Sequence, residues 1–125
     1  MVVVDSSGWI QVFADGPLAG DFLLHLTDLT KVVTPVIVVY EVYRVLKRRV
    51  GDDVALRAVA EMEETRLAPI DATASILAAD FSLEHGLPMA DALIYAAARM
   101  ARADLVTADA HFRGLKGVVF VEPQT

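Results

Sequence analysis

The chain contains no cysteine among its 125 residues. Disulfide bonds, thiolate zinc sites and cysteine nucleophiles are therefore all excluded. Histidine is also scarce: only His25, His85 and His111 occur, and no two of them stand at the helical spacing of a metal-binding pair. We interpret each of the three as a surface or helix-end residue. The uncharged apolar stretch 32–40 is well short of the roughly 20 residues that cross a bilayer, so we expect no membrane-spanning segment.

Basic residues are in the minority. Eleven Lys and Arg against 17 Asp and Glu give a net charge of -6, which on its own argues against nucleic acid, whose phosphates repel an acidic protein. The length predicts a single domain, residues 1–125, and excludes separate cofactor and substrate lobes. Since the first residues lack the basic segment and cleavage site of a secretory signal, we expect a cytoplasmic protein. Hydrophobic residues make up 55% of the chain, enough for a full core and for apolar surface that a partner can cover.

Short apolar runs alternate with longer helical stretches along the whole chain. The runs predict strands over Val2–Asp5, Lys31–Thr34, Arg66–Ile70, Leu105–Thr107 and Val118–Val121. The longer stretches predict helices over Ser7–Ala14, Leu18–Leu29, Pro35–Val50, Asp53–Glu64, Thr73–His85 and Met89–Arg102, with a helical turn near 110–115. This alternation predicts an α/β fold of three layers, α/β/α, around a central, mainly parallel five-stranded sheet. In such sheets, ligands bind beyond the carboxyl ends of the strands.

Two acids follow apolar strands directly. Asp5 comes after three valines, and Asp109 closely follows the predicted strand Leu105–Thr107. Either acid can instead be a cap of the helical segment that comes next, because Asp favours that position. The position of each residue at a strand end is equally consistent with a functional site.

Two further acids interrupt apolar helical segments. Glu41 is the only charge between residues 36 and 43, and Asp91 is the only carboxylate between residues 84 and 99. A buried unpaired carboxylate is costly, so Glu41 requires either a function or an ion pair with Arg44 or Arg48 on its side of the helix. Asp91 can be a first-turn acid that the helix dipole stabilises.

Clustered carboxylates repel one another unless a cation lies between them. Ligands that are all oxygen, with no histidine or cysteine, favour Mg2+, with Mn2+ as the alternative. Such a cation activates water and neutralises phosphate charge, which is the chemistry of phosphodiester hydrolysis. The hydroxyls of Ser6, Ser7 and Thr107 can orient the ligands or their waters, or act only as helix caps.

Four segments together resemble the acidic motifs of PIN-domain ribonucleases, in particular the VapC toxins of type II toxin-antitoxin systems. They are Val3–Ser7, Val39–Val42 with its glutamate, Leu87–Ala98 and Leu105–Phe112. The resemblance covers essentially the whole chain. It implies a PIN-like fold and a catalytic, metal-binding quartet of Asp5, Glu41, Asp91 and Asp109, with Asp5 and Asp91 as direct ligands. Ser6 replaces a more common Thr, Ala108 a frequent basic residue and His111 a residue that is often acidic.

Basic side chains near these motifs are candidate RNA contacts: Arg44, Arg48, Arg113 and Lys116. The alternative is a solvated face with cations at a helix C-terminus, and the two are compatible. The resemblance implies single-stranded or loop RNA as substrate, a cognate antitoxin protein as partner, and a homodimer or higher homo-oligomer. The helical stretches 18–29 and 53–64 have apolar faces that suit such partners.

Two other functions compete with a metal-dependent endoribonuclease. One is a catalytically silent PIN-like interaction module, against which the retention of all four acids argues. The other is a different Mg2+-dependent phosphohydrolase, such as a haloacid-dehalogenase-like phosphatase. That class has a second Asp two residues after its nucleophilic Asp, where this chain has Ser7.

Overall fold

Five short strands alternate with six α-helices in the computed structural model, which describes residues 1–122. The strands are β1 (Val2–Val4), β2 (Val33–Pro35), β3 (Arg66–Ala68), β4 (Asp104–Thr107) and β5 (Val118–Phe120). The helices are α1 (Ser6–Phe13), α2 (Ala19–Leu23), α3 (Val36–Arg49), α4 (Asp52–Glu63), α5 (Ala72–His85) and α6 (Met89–Met100). Two 3-10 helices cover Leu29–Lys31 and Ala110–Phe112.

All paired strands run parallel, as predicted. β4 lies between β1 and β5, and β2 pairs with β3. A single parallel bridge between Val2 and Val32 joins these two sections, so the strand order across the whole sheet is β5-β4-β1-β2-β3. The predicted α/β fold is confirmed, with its five strands hydrogen-bonded as a group of three and a group of two.

Helices cover both faces of the central strands. Val3 and Val4 are neighbours in β1 and therefore point to opposite faces of the sheet, yet both are completely buried. Leu105 and Val106 in β4 show the same burial. Helix α1 packs on β1 and β4, and α6 packs on β4 and β2. This arrangement leaves the carboxyl ends of β1 and β4 as the place where polar side chains can meet.

The predicted helix over Leu18–Leu29 is wrong in length. Helix α2 ends at Leu23, residues 24–27 form a turn and a bend, and a 3-10 helix begins only at Leu29. Asp28 explains part of the difference, because its carboxylate accepts hydrogen bonds from the Thr30 backbone N–H at 3.1 Å and from the Thr30 hydroxyl at 2.6 Å. Such local bonds from Asp compete with a continuous α-helix. The other predicted elements differ from the structure mainly at their ends.

Helix α1 lies unusually close to its neighbours. A Cβ atom added at Gly8 would stand 2.5 Å from a Phe22 ring carbon and 2.6 Å from Val4 Cγ1, so only glycine fits there. The next residue, Trp9, is completely buried and stacks on Phe13 with 6.3 Å between ring centroids. This packing holds the first turn of α1 against the end of β1. No helix within residues 1–122 is long and apolar enough to span a membrane.

Candidate metal centre

Asp5 directly follows the last residue of β1 and directly precedes the first residue of α1. As the N-cap of α1, its carboxylate accepts a hydrogen bond from the Ser6 backbone N–H at 2.8 Å. The Ser7 hydroxyl donates to it at 3.1 Å and the Thr107 hydroxyl at 2.7 Å. The cap predicted from the sequence is therefore present, and it does not exclude a functional role.

Burial dominates the electrostatics of Asp5. The residue is only 3% exposed, and loss of hydration raises its pKa to about 6, although the bonds from Thr107, Ser7 and Ser6 oppose that rise. The nearby charge of Asp109 raises the pKa further. Asp5 thus has three donors that favour the carboxylate, in surroundings that favour the neutral acid.

Asp91 and Asp109 face the same place from different elements. Asp91 is in the first turn of α6, and Asp109 caps the 3-10 helix after β4. The pKa of Asp91 rises to about 7 because of burial first, and then because of the charges of Asp109 and Asp5. The three carboxylates consequently form one cluster, in which full ionisation is unfavourable without a compensating cation.

His111 is a member of this cluster that sequence reasoning missed. Its Nδ1 atom lies 2.8 Å from Asp109 Oδ1 and 3.3 Å from Asp91 Oδ2. The ring is largely exposed, as expected for a surface histidine, but it faces the two carboxylates. Its position two residues after Asp109, where the resembled family often has an acid, was the available signal. Its contact with Asp91 depends on how α6 packs beside the end of β4.

Glu41 is connected to the cluster through a serine. The Ser6 hydroxyl donates to Glu41 Oε1 at 2.6 Å, while the Ser6 backbone N–H donates to Asp5. Within residues 1–122, no ion pair joins Glu41 to Arg44 or Arg48. The ion-pair interpretation of Glu41 is therefore not what the structure shows.

The four basic residues predicted to contact RNA have different surroundings. Arg44 is exposed and lines a shallow concavity with Glu41, and Arg48 is exposed one turn further along α3. Arg113 instead forms a bidentate pair with Glu122, at 2.5 and 3.3 Å, and its guanidinium lies 4.1 Å from the centre of the Phe120 ring. The Lys116 side chain is exposed, while its carbonyl accepts a 2.6 Å bond from Tyr95.

Three donor atoms at this site are close enough together to be candidate ligands of a single divalent cation. One ligand atom each from Asp91, Asp109 and His111 lie within 4.8 Å of one another. Adjacent donors around an octahedral ion with bonds of about 2.1 Å are about 3 Å apart, a spacing near the two distances from His111. Carboxylate oxygens suit Mg2+ and Mn2+, and imidazole nitrogen suits transition metals.

The chain is similar to known proteins over nearly its whole length. The model of the PIN domain family matches residues 2–118. A toxin-antitoxin complex from Klebsiella pneumoniae contains a similar chain, with a TM-score of 0.80 and 22% identity over 95% of this chain and 96% of that one. VapC20 of Mycobacterium tuberculosis, described as a sarcin-ricin loop cleaving toxin, has a TM-score of 0.79 and 22% identity, covering 98% and 100%.

A third similar structure is FitAcB from Neisseria gonorrhoeae, with a TM-score of 0.70 and 19% identity over 97% of both chains. At these identities, the likeness shows a shared fold. No curated protein sequence matches the chain.

Proposed function

Because the chain belongs to the PIN domain family, we propose that it is a Mg2+-dependent endoribonuclease that acts as the toxin of a toxin-antitoxin pair. The observation that carries the proposal is the cluster of Asp5, Asp91 and Asp109 at the carboxyl ends of β1 and β4. Its substrate would be single-stranded or loop RNA, in keeping with the loop-cleaving activity named for VapC20.

The acids have separable tasks in this proposal. Asp5, Asp91 and Asp109 would hold the cation, and the hydroxyls of Thr107 and Ser7 favour the ionised form of Asp5. A bound Mg2+ or Mn2+ supplies an activated water and neutralises charge on the scissile phosphate. Glu41, oriented by Ser6 at the outer side of the cluster, completes the quartet.

RNA binding is assigned to the exposed basic side chains. Arg44 lies next to Glu41, so a phosphate held there would be close to the acids. Arg48 and Lys116 provide further exposed positive charge. Arg113 would have to leave Glu122 to reach RNA, so we expect its contribution to be smaller. Contacts of this kind position the strand without reading its bases.

Partners are proposed from the neighbours and from the exposed apolar residues. The Klebsiella structure is a toxin-antitoxin complex, and by analogy we propose a cognate antitoxin for this chain, in the cytoplasm. Leu23, Leu24 and Leu56 are exposed in the two segments whose apolar faces were predicted to bind partners. They are consistent with an antitoxin contact and with a homodimer or higher homo-oligomer.

Substitution of Asp5 and Asp91 tests the nuclease. Asp5→Asn and Asp91→Asn should each reduce cleavage of a labelled RNA at least ~100-fold, because loss of cation binding removes several kcal/mol of transition-state stabilisation. Asn is a good helix cap, so Asp5→Asn should retain the fold. Asp80→Asn is the matched control, because Asp80 is an exposed acid within α5.

The target is identified by sequencing RNA ends after induced expression, with the Asp91→Asn variant as reference. New ends that depend on Asp91 would support the proposal. Full cleavage by the Asp5→Asn, Asp91→Asn double variant would refute it. A protein that binds no Mg2+ and cuts no RNA would instead be the silent interaction module.

A further inference from the structure

His111 places a nitrogen atom among oxygen donors. Its Nδ1 contacts Asp109 Oδ1 at 2.8 Å and Asp91 Oδ2 at 3.3 Å, so the ring reaches acids from two separate elements. Asp109 Oδ1 already accepts the His111 backbone N–H at 2.9 Å. The helix cap is therefore complete without the imidazole, whose Nδ1 forms a separate hydrogen bond with the same carboxylate oxygen and so faces the cluster.

The accessibility of the three side chains decreases towards the cluster. His111 is 57% exposed, Asp109 29% and Asp91 15%. The imidazole is thus at the open side of the cluster, where a cation enters from solvent, and the carboxylates are deeper. A ligand at this position can bind the ion while most of its own side chain remains in contact with solvent.

We propose that His111 Nδ1 is a ligand of the divalent cation bound by Asp91 and Asp109, and that it gives the site a preference for Mn2+ over Mg2+. Mg2+ takes oxygen ligands almost exclusively, whereas Mn2+, the first ion of the Irving–Williams order, prefers carboxylate but binds imidazole nitrogen more strongly than Mg2+ does. An all-oxygen cluster lacks that source of discrimination. From the proposed function, the inference takes only that a divalent cation binds at these acids.

Nitrogen coordination can be observed directly on the whole protein. Electron spin-echo envelope modulation of the Mn2+-loaded wild-type chain should show coupling of Mn2+ to a directly bound 14N nucleus. The coupling should disappear in His111→Ala and remain in His25→Ala, a control histidine outside the cluster. Absence of 14N coupling in the wild type, or its persistence in His111→Ala, would overturn the proposal.

Affinity measurements test the preference itself. Mn2+ is titrated by the loss of its free-ion resonance signal, and Mg2+ by calorimetry, both without RNA. His111→Ala should weaken Mn2+ binding about tenfold or more and Mg2+ binding less than about threefold. His111→Asp, which restores an oxygen donor, should shift the preference towards Mg2+. Equal weakening for both ions, or no weakening for either, would contradict a selective nitrogen ligand.

These measurements are independent of nuclease activity. Mn2+ bound with 14N coupling in a protein that cuts no RNA would refute the proposed function and leave the role of His111 standing. RNA cleavage supported equally by Mg2+ and Mn2+, with no 14N coupling, would refute the role of His111 and support the proposed function. A wild-type chain that binds neither ion would refute both.

Discussion

Thr107 uses one buried hydroxyl to connect two of the acids. Its Oγ1 donates to Asp5 Oδ2 at 2.7 Å and accepts the Asp109 backbone N–H at 3.0 Å. The side chain has no exposed surface, so neither bond can be replaced by bulk water. Thr107 therefore fixes the relative position of Asp5 and the segment that carries Asp109.

Removing this hydroxyl should weaken cation binding and retain most of the fold. Thr107→Val keeps the shape but leaves Asp5 with one donor fewer, so the pKa of Asp5 rises further and the ionised ligand becomes less available. Residues behind a metal ligand typically change affinity 10–100-fold, and we expect a loss in that range, measured by calorimetry with Mg2+.

Thr107→Ser is the control for Thr107→Val, because it loses a methyl group and retains the donor. We expect its cation affinity to stay within about threefold of wild type. Equal weakening in both variants would show that packing, and not the hydroxyl, is what matters.

The sequence predicts the acids better than it predicts their neighbours. Asp5 and Asp109 were identifiable because each closely follows an apolar strand, and parallel strands end at a common edge. The only sequence signal for His111 was its position two residues after Asp109, since its contact with Asp91 depends on the packing of α6 beside β4. Local sequence contains no information about that distance.

Helix α3 connects the acidic cluster to a positively charged surface. Its first half is apolar apart from Glu41, and its last turn carries Lys47, Arg48 and Arg49. Cations at a helix C-terminus interact favourably with the dipole, so they also stabilise α3 itself. Lys47 is additionally paired with Asp52 at 3.8 Å and with the Tyr43 hydroxyl at 3.2 Å.

Arg44→Ala and Arg48→Ala should weaken RNA binding without changing cation affinity. If each arginine binds one phosphate, each substitution should reduce the slope of log K against log salt concentration by about 0.7 for a single strand. Fluorescence polarisation of a labelled RNA with an inactive Asp91→Asn background measures this slope. Arg57→Ala on α4 is the control, because Arg57 is also exposed but lies on another helix.

An unchanged salt slope in the Arg44→Ala, Arg48→Ala double variant would show that the phosphates of the RNA do not bind at this part of α3. Lys116 and Arg113 would then be the remaining basic candidates at the site.

Element ends show where prediction from sequence stops. Helix α5 was predicted well because Asp71 caps its start and Gly86, with a φ of 71°, ends it in a conformation that suits glycine. Helix α2 was overestimated because the apolar pattern of residues 18–29 continues through the bend. The apolar pattern does not show that Asp28 bonds to Thr30 instead of extending the helix.

Charge is unevenly distributed across the whole molecule. The net charge of -6 argues against nucleic acid only as an average. Several of the 17 acids converge on one cluster, where a bound cation would offset them, and basic residues gather along α3. Composition cannot reveal this separation, because it depends on which residues the fold brings together.

The metal-free chain should lose stability as pH rises. The folded-state pKa values of Asp5 and Asp91, about 6 and about 7, lie above the ordinary value of 3.8. The folded chain therefore holds more protons than the unfolded chain between about pH 4 and pH 7, and the free energy of unfolding falls across that interval. We expect a loss of a few kcal/mol from pH 5 to pH 8, measured by urea denaturation followed by circular dichroism in a chelator.

Saturating Mn2+ or Mg2+ at pH 8 should recover the lost free energy of unfolding, because the ions bind the folded chain. Asp91→Asn should flatten the pH profile, since one of the two titrating acids is gone. A profile that rises with pH in the chelator would contradict the raised pKa values.

Trp9 is an internal fluorescence probe of whether the chain is folded. It is the only tryptophan in the chain, it is completely buried, and it lies one turn after Asp5 on the helix that Gly8 allows to pack so closely. Its fluorescence should be blue-shifted in the folded chain and move to longer wavelength as soon as α1 leaves the core. One emission spectrum thus distinguishes a variant that is folded but inactive from a variant that is unfolded.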